Sequence, residues 1–226
     1  VTGAIDISAL TVRYAGATAL DDVSLTVPHH GLTALIGANG AGKTTLVKAL
    51  CGLIRPDHGT ITVDGRIAHV PEGREMFPDM TVDDNLRLGG WRTRRRDTAA
   101  IYDLFPGLAA LRARRAGTLS GGQQQMVAIG RALMADPDVL VVDELSLGLA
   151  PMVVTSLVDH LVTLHTTRDL SVLLIEQNAR LALDLCHYAY VLESGRIALH
   201  GPAPILARDP RVTAAYLGGH IQVTDE

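Results

Sequence analysis

The chain has 226 residues, 47% hydrophobic and 19% charged, with a formal net charge of −4. This balance describes one large folded domain with a sizeable core and excludes a disordered chain. The acidic charge argues against nucleic acid as a partner, because a domain that binds that backbone is normally basic. No run of about 18 uninterrupted apolar residues is present, so a membrane role has to come through a partner. Val1–Leu10 alternates and carries Asp6, unlike a secretory leader. The two cysteines, Cys51 and Cys186, are too few for a disulfide framework and read as buried, reduced, cytosolic thiols.

Ile5–Ile7, Leu10–Tyr14 and Val23–Val27 alternate with period two, which predicts an antiparallel strand set. Leu32–Ile36 is apolar but for Thr33, the pattern of a strand covered on both faces. A glycine-rich turn follows, then a helix over Thr44–Leu50 that stops at Gly52. Gly59–Val63 reads as a strand ending at Asp64-Gly65, and Ile67–Val70 continues the extended pattern. From Thr81 to Arg115 the periods become helical, with a hinge at Pro106-Gly107. Gln123–Met134 predicts a further helix, and Val139–Val142 and Val172–Ile175 two more buried strands. Alternation of buried strands with helices implies an α/β fold with a mainly parallel sheet.

Gly37-Ala38-Asn39-Gly40-Ala41-Gly42-Lys43-Thr44-Thr45 matches the phosphate-loop pattern between a strand and a helix. The glycines let successive N–H groups turn inward toward phosphate oxygens, and the helix adds the positive end of its dipole. Lys43 should then reach the β- and γ-phosphates, and the Thr44 hydroxyl should coordinate Mg²⁺. Lysine occurs only at positions 43 and 48, which makes its place in this loop harder to assign to chance. The bland alternative is a tight turn with an exposed lysine.

Asp143 and Glu144 fall at the end of the Val139–Val142 run, where open α/β sheets place their ligands. Asp143 suits a role at Mg²⁺, and Glu144 suits activation or orientation of the attacking water. By itself, an apolar run ending in two acids is equally a plain structural feature.

Leu119-Ser120-Gly121-Gly122-Gln123 opens the later helix, with Ser120 as a natural cap and bare glycine N–H groups beside it. This pentapeptide resembles the signature motif of ABC ATPases, and the motif order along the whole chain is similar to that family. The resemblance implies a P-loop NTPase core, an N-terminal antiparallel β-subdomain (about 1–30 and 59–70) and a helical subdomain (about 73–137). It places Tyr14 against adenine, Asn39, Gly40, Gly42, Lys43, Thr44 and Thr45 on the phosphates, and Ser120–Gln123 on the nucleotide of a second ATPase subunit. Ser146–Ala150 matches the segment that crosses that dimer interface, and the partner is an identical chain or a paralogue.

A finer resemblance is to the second ATPase subunit of branched-chain amino acid importers. It rests on Val70–Arg74, Ser146–Pro151, Ile175–Asn178 and the tail Ala215-Tyr216-Leu217-Gly218. It implies membrane permeases as partners, an extracytoplasmic substrate-binding protein acting indirectly, and a place on the inner face of the cell membrane. Related urea and amide importers share some of these features. A non-transport ABC ATPase and a regulatory module without turnover are the remaining alternatives.

Three positions depart from the common family pattern. Glu72 replaces the usual glutamine that contacts Mg²⁺ or water, Gln177 replaces the switch histidine, and Leu145 replaces a proline after the two acids. Glutamine can hydrogen-bond phosphate or water but carries no charge, which implies slow hydrolysis at this chain's own loop. Leu145 would loosen the turn that places Glu144, and the chain at Gly65–Ile67 is short by about a hairpin against the family. The arginines at 92, 94, 95, 96, 112, 114 and 115 are either a solvated face or contacts for acidic groups.

Overall fold

Period-two alternation leaves one face of an extended segment apolar, and that face needs a cover. In the computed structural model, which describes residues 3–216, β1 (Ile5–Tyr14) and β2 (Ala17–Val27) pair antiparallel. β3 (Leu32–Ile36) leads through the glycine turn into α1 (Lys43–Leu50). β4 (His58–Val63) returns antiparallel to β1 and completes a three-stranded sheet of order β2-β1-β4.

β5 (Ile67–Val70) does not continue that sheet, as its extended pattern suggested. It pairs in parallel with a later strand of the core. The link between the two sheets is a tight turn: a Cβ on Gly65 would meet the Asp138 carboxylate at 2.6 Å. Arg66 donates its backbone N–H to Asp138 (2.7 Å) and forms an ion pair with Asp136 (2.9 Å). The short connection at Gly65–Ile67 is therefore a closed junction.

The segment 81–115 is less helical than its periodicity suggested. It holds α2 (Val82–Gly89), α3 (Ala99–Leu104) and α4 (Pro106–Ala109), with turns between and after them. Thr81 caps α2 by accepting from the Asp84 N–H (3.1 Å). Asp83 holds the region together. Its buried carboxylate accepts from the Thr98 and Tyr102 hydroxyls, both at 2.9 Å, and pairs with Arg87 at 2.8 Å. Burial alone would raise its pKa, but those hydrogen bonds and the Arg87 and Arg112 charges outweigh burial and hold it below the usual carboxylate range.

α5 (Gly121–Leu133) follows, then β6 (Val139–Asp143), α6 (Pro151–Arg168), β7 (Ser171–Glu176) and α7 (Ala179–Leu185). β8 (Tyr188–Glu193) and β9 (Arg196–Pro202) form a hairpin, and α8 (Ala203–Leu206) and α9 (Pro210–Tyr216) close the described chain. In the family tail, Leu217 and Gly218 lie outside the described residues. The core sheet runs β5-β6-β7-β3-β8-β9, parallel except for β8 with β9.

The three fully buried strands, β3, β6 and β7, divide their apolar side chains between two cores. Leu32, Ala34, Leu140, Val142, Val172 and Leu174 face the helical side. Leu35, Val139, Val141, Leu173 and Ile175 face α1 and the antiparallel sheet. That is why these strands are buried at every position.

α2 and α5 approach closely at glycines. A Cβ on Gly89 would sit 1.8 Å from the Arg131 carbonyl oxygen, which is backbone and cannot move aside. Gly89→Ala should therefore destabilise the chain by about 2 kcal/mol, read as a lower urea midpoint with an unchanged m-value.

Candidate functional site

The glycine turn leaves β3 at its carboxyl end. Gly40 and Gly42 take φ values of 80° and 112°, open to glycine without strain. At Gly42 a Cβ would also meet Leu20 Cδ2 at 2.8 Å and the Ala19 carbonyl oxygen at 2.9 Å. α1 starts with no side-chain cap and no acid in its first turn, so its N-terminal N–H groups stay available to an anion. The turn between β8 and β9 braces the loop: the Gly195 N–H donates to the Ala41 carbonyl oxygen at 2.9 Å.

Lys43 is only 6% exposed. Its ammonium donates to the Gly37 and Ala38 carbonyl oxygens (2.9 and 3.3 Å) and forms an ion pair with Glu144 at 3.2 Å. A buried ammonium without a counter-charge would be costly, so Glu144 closes the site electrically.

Glu144 follows β6 with a left-handed φ of 49°, and its N–H donates to the Ile175 carbonyl oxygen at 2.8 Å. Asp143 ends β6 and is buried beneath. Burial, then the Glu144 and Glu72 charges, push its pKa up to about 6 against the opposing pull of Lys43. Glu176 ends β7. Its carboxylate accepts from the Ser146 N–H and the Ser146 hydroxyl, both at 3.0 Å. Burial raises its pKa, and the Ser146 hydrogen bonds pull the other way.

These elements enclose a cavity of about 470 Å³. Asn39, Gly40, Gly42, Lys43, Thr44, Thr45, Glu72 and Glu144 all line it, with Thr18, Ala19, Ser194 and Gly195 on the remaining side. Those last four residues escaped sequence reasoning, because no strand had been assigned to 188–202. Gly195, in a Ser-Gly turn between alternating segments, was the available signal.

Other expected site residues stand apart from the cavity. Tyr14 is exposed at the end of β1, and Gln177 is exposed just after β7. Ser120–Gln123 form a reciprocal cap on α5: the Ser120 N–H donates to Gln123 Oε1 at 3.0 Å, and the Gln123 N–H to Ser120 Oγ at 3.4 Å. Gly122 is buried, and a Cβ there would meet Val153 of α6 at 2.4 Å. Leu145 is fully buried.

Residues 20–146 match the ABC transporter family. The chain belongs to that family. It is 43% identical over 93% of its length to the high-affinity branched-chain amino acid transport ATP-binding protein BraG of Pseudomonas aeruginosa, covering 97% of that protein. It is 34% identical over 88% of its length to the probable branched-chain amino acid transport ATP-binding protein LivF of Archaeoglobus fulgidus, covering 92% of it. Among solved structures, the ADP conformation of MJ1267, an ATP-binding cassette of an ABC transporter, superposes with a TM-score of 0.84. The two share 26% identity, over 97% of this chain and all of the other. The ABC fold and the ATPase class expected from the motifs are thus established.

The raised pKa of Asp143 has a definite sign. Between about pH 4, the usual carboxylate value, and pH 6 the folded chain holds a proton that the unfolded chain has released. Stability of the chain without nucleotide or metal should therefore fall as pH rises through that window and level off above it. Asp143→Asn should flatten that part of the profile in denaturant titrations across pH.

Proposed function

We propose that this chain is the ATP-hydrolysing subunit that energises a membrane importer of branched-chain or other hydrophobic amino acids. The observation that carries the ATP reading is the cavity where the phosphate loop, Lys43 and Glu144 converge. Similarity to BraG and LivF supports the amino-acid substrate class.

In this reading the loop N–H groups and Lys43 hold the β- and γ-phosphates, and Tyr14 stacks on adenine. Mg²⁺ would be held by the Thr44 hydroxyl, with Asp143 and Glu72 as carboxylate partners. Among the described residues, no three His, Cys, Asp or Glu side chains converge to hold a metal by themselves. Mg²⁺ would then also need oxygens of the nucleotide, as it commonly does. Lys43 exchanges Glu144 for the γ-phosphate, which frees Glu144 to orient water. Ser120–Gln123 lie off this cavity, which fits their use on the nucleotide of a second ATPase subunit, identical or paralogous.

Among the described residues no helix is long and apolar enough to cross a membrane. Attachment to the inner face of the membrane then comes from permease subunits, with a substrate-binding protein acting through them. A groove of about 930 Å³ beyond Glu72 fits a docking helix; it is lined by Arg66, His69, Phe77, Trp91 and Arg131. Phe77 and Trp91 are 51% and 79% exposed there. Phe77→Ala should cut solute uptake by the reconstituted transporter about tenfold or more while nucleotide affinity stays unchanged. Normal uptake would remove this groove as the docking site.

Gln177 carries no positive charge, so hydrolysis at this chain's own loop is slow. Gln177→His should raise turnover several-fold in phosphate-release assays. Unchanged or reduced turnover would mean that glutamine is already sufficient.

A further inference from the structure

Glu144 does not hold its own conformation. Its φ of 49° lies in the left-handed region, which costs a residue with a Cβ and persists only when its surroundings impose it. The turn after it has Leu145 in place of a rigid ring. Something else has to fix the chain on the far side of Glu144.

Glu176 does so. It is 1% exposed, and while the Asn178 backbone also hydrogen-bonds to its carboxylate, one oxygen accepts the Ser146 N–H and the other the Ser146 hydroxyl, each at 3.0 Å. A buried carboxylate with two donors from one residue is a directional clamp, because its charge-assisted bonds are short and strong. The Glu144 N–H is anchored to β7 as well, through the Ile175 carbonyl oxygen at 2.8 Å. Residues 144 and 146 are thus tied to consecutive residues of one strand. The Glu176 carbonyl oxygen also receives the Gly37 N–H at 3.3 Å, where the phosphate loop begins. Arg74 steadies the next residue, donating to the Leu147 carbonyl oxygen at 3.2 Å.

We infer that Glu176 is a positioning residue for hydrolysis: by clamping Ser146 it sets the turn that presents Glu144, and with it the segment Ser146–Ala150. The inference rests on the reading of Glu144 as the residue that orients water. Among the described residues the Glu176 carboxylate makes its hydrogen bonds to Ser146 and Asn178 and not to the phosphate loop, so its removal should leave ATP binding almost intact. A small displacement of a reacting group is enough to lower the chemical step by as much as about 100-fold.

The test is steady-state phosphate release by the full chain with Mg-ATP, at protein concentrations where turnover per chain no longer changes. Glu176→Ala should lower kcat by ~10- to 100-fold and leave KM within about twofold. Glu176→Gln keeps one acceptor for the Ser146 N–H and should recover part of the loss. Ser146→Ala should cost less than Glu176→Ala, because it removes only the hydroxyl bond. Combining Ser146→Ala with Glu176→Gln should give less than the product of the two single effects, since both variants act on one contact. That cycle serves if Glu176→Ala fails to fold. Unchanged kcat in the folded variants, a matching rise in KM, or fully multiplicative effects would each overturn the clamp. Glu144→Gln, run alongside, separates the two ideas: if it hydrolyses normally, the reading of Glu144 fails, whatever the Glu176 variants do.

Discussion

Parallel pairing obliges the carboxyl ends of β3, β6 and β7 to finish side by side on one edge of the sheet. Ile36 lies opposite Glu176, and Asp143 opposite Ile175, so the phosphate loop and the acids after β6 and β7 leave the sheet within one residue of register. Such an edge collects chemistry, and here it also collects charge. Asp143, Glu144 and Glu176 are three carboxyl groups that leave adjacent strands, and Lys43 is the one lysine buried among them. Burial first, and that crowding after it, raise the pKa of Asp143, and the proposed divalent cation with its nucleotide would relieve it.

The frame that permits this is a sheet covered on both faces. β1, β2 and β4 cover one side with α1, and α5, α6 and α7 cover the other. Because each of the three central strands feeds both cores, no single strand can slip without moving side chains out of both. The loop is therefore mounted on the part of the fold least free to drift, and the β8–β9 turn and the backbone of β2 press on it from outside.

Much of this was readable in the sequence because it is local. Apolar runs announced β3, β6 and β7, and the glycine spacing announced the phosphate loop and its Lys43 and Thr44. Capping chemistry at Ser120 placed the start of α5. Pairing was not readable. Ile67–Val70 has the same extended pattern in either sheet, and only its parallel contact with β6 decides the matter. α6 escaped the pattern because apolar residues surround its buried stripe: Leu157, Leu161 and Leu164 share one face, but Met152 and Val162 are 86% and 40% exposed on others. The Glu176–Ser146 clamp joins residues 30 positions apart and has no local signature. The roles proposed for Tyr14 and Ser120–Gln123 involve a nucleotide and a second chain, so they rest on the motif and not on contacts within this chain.

The ion pair between Lys43 and Glu144 turns nucleotide entry into a competition. Glu144 is a tethered anion already seated where an incoming anion would gain most, and tethering gives it the effective concentration of an intramolecular rival. An isolated phosphate ion, with no adenine or neighbouring phosphates to add binding energy, starts at a disadvantage against it. A triphosphate brings enough further contacts to win the exchange. In the proposed reading the loop thus carries its own filter against small anions.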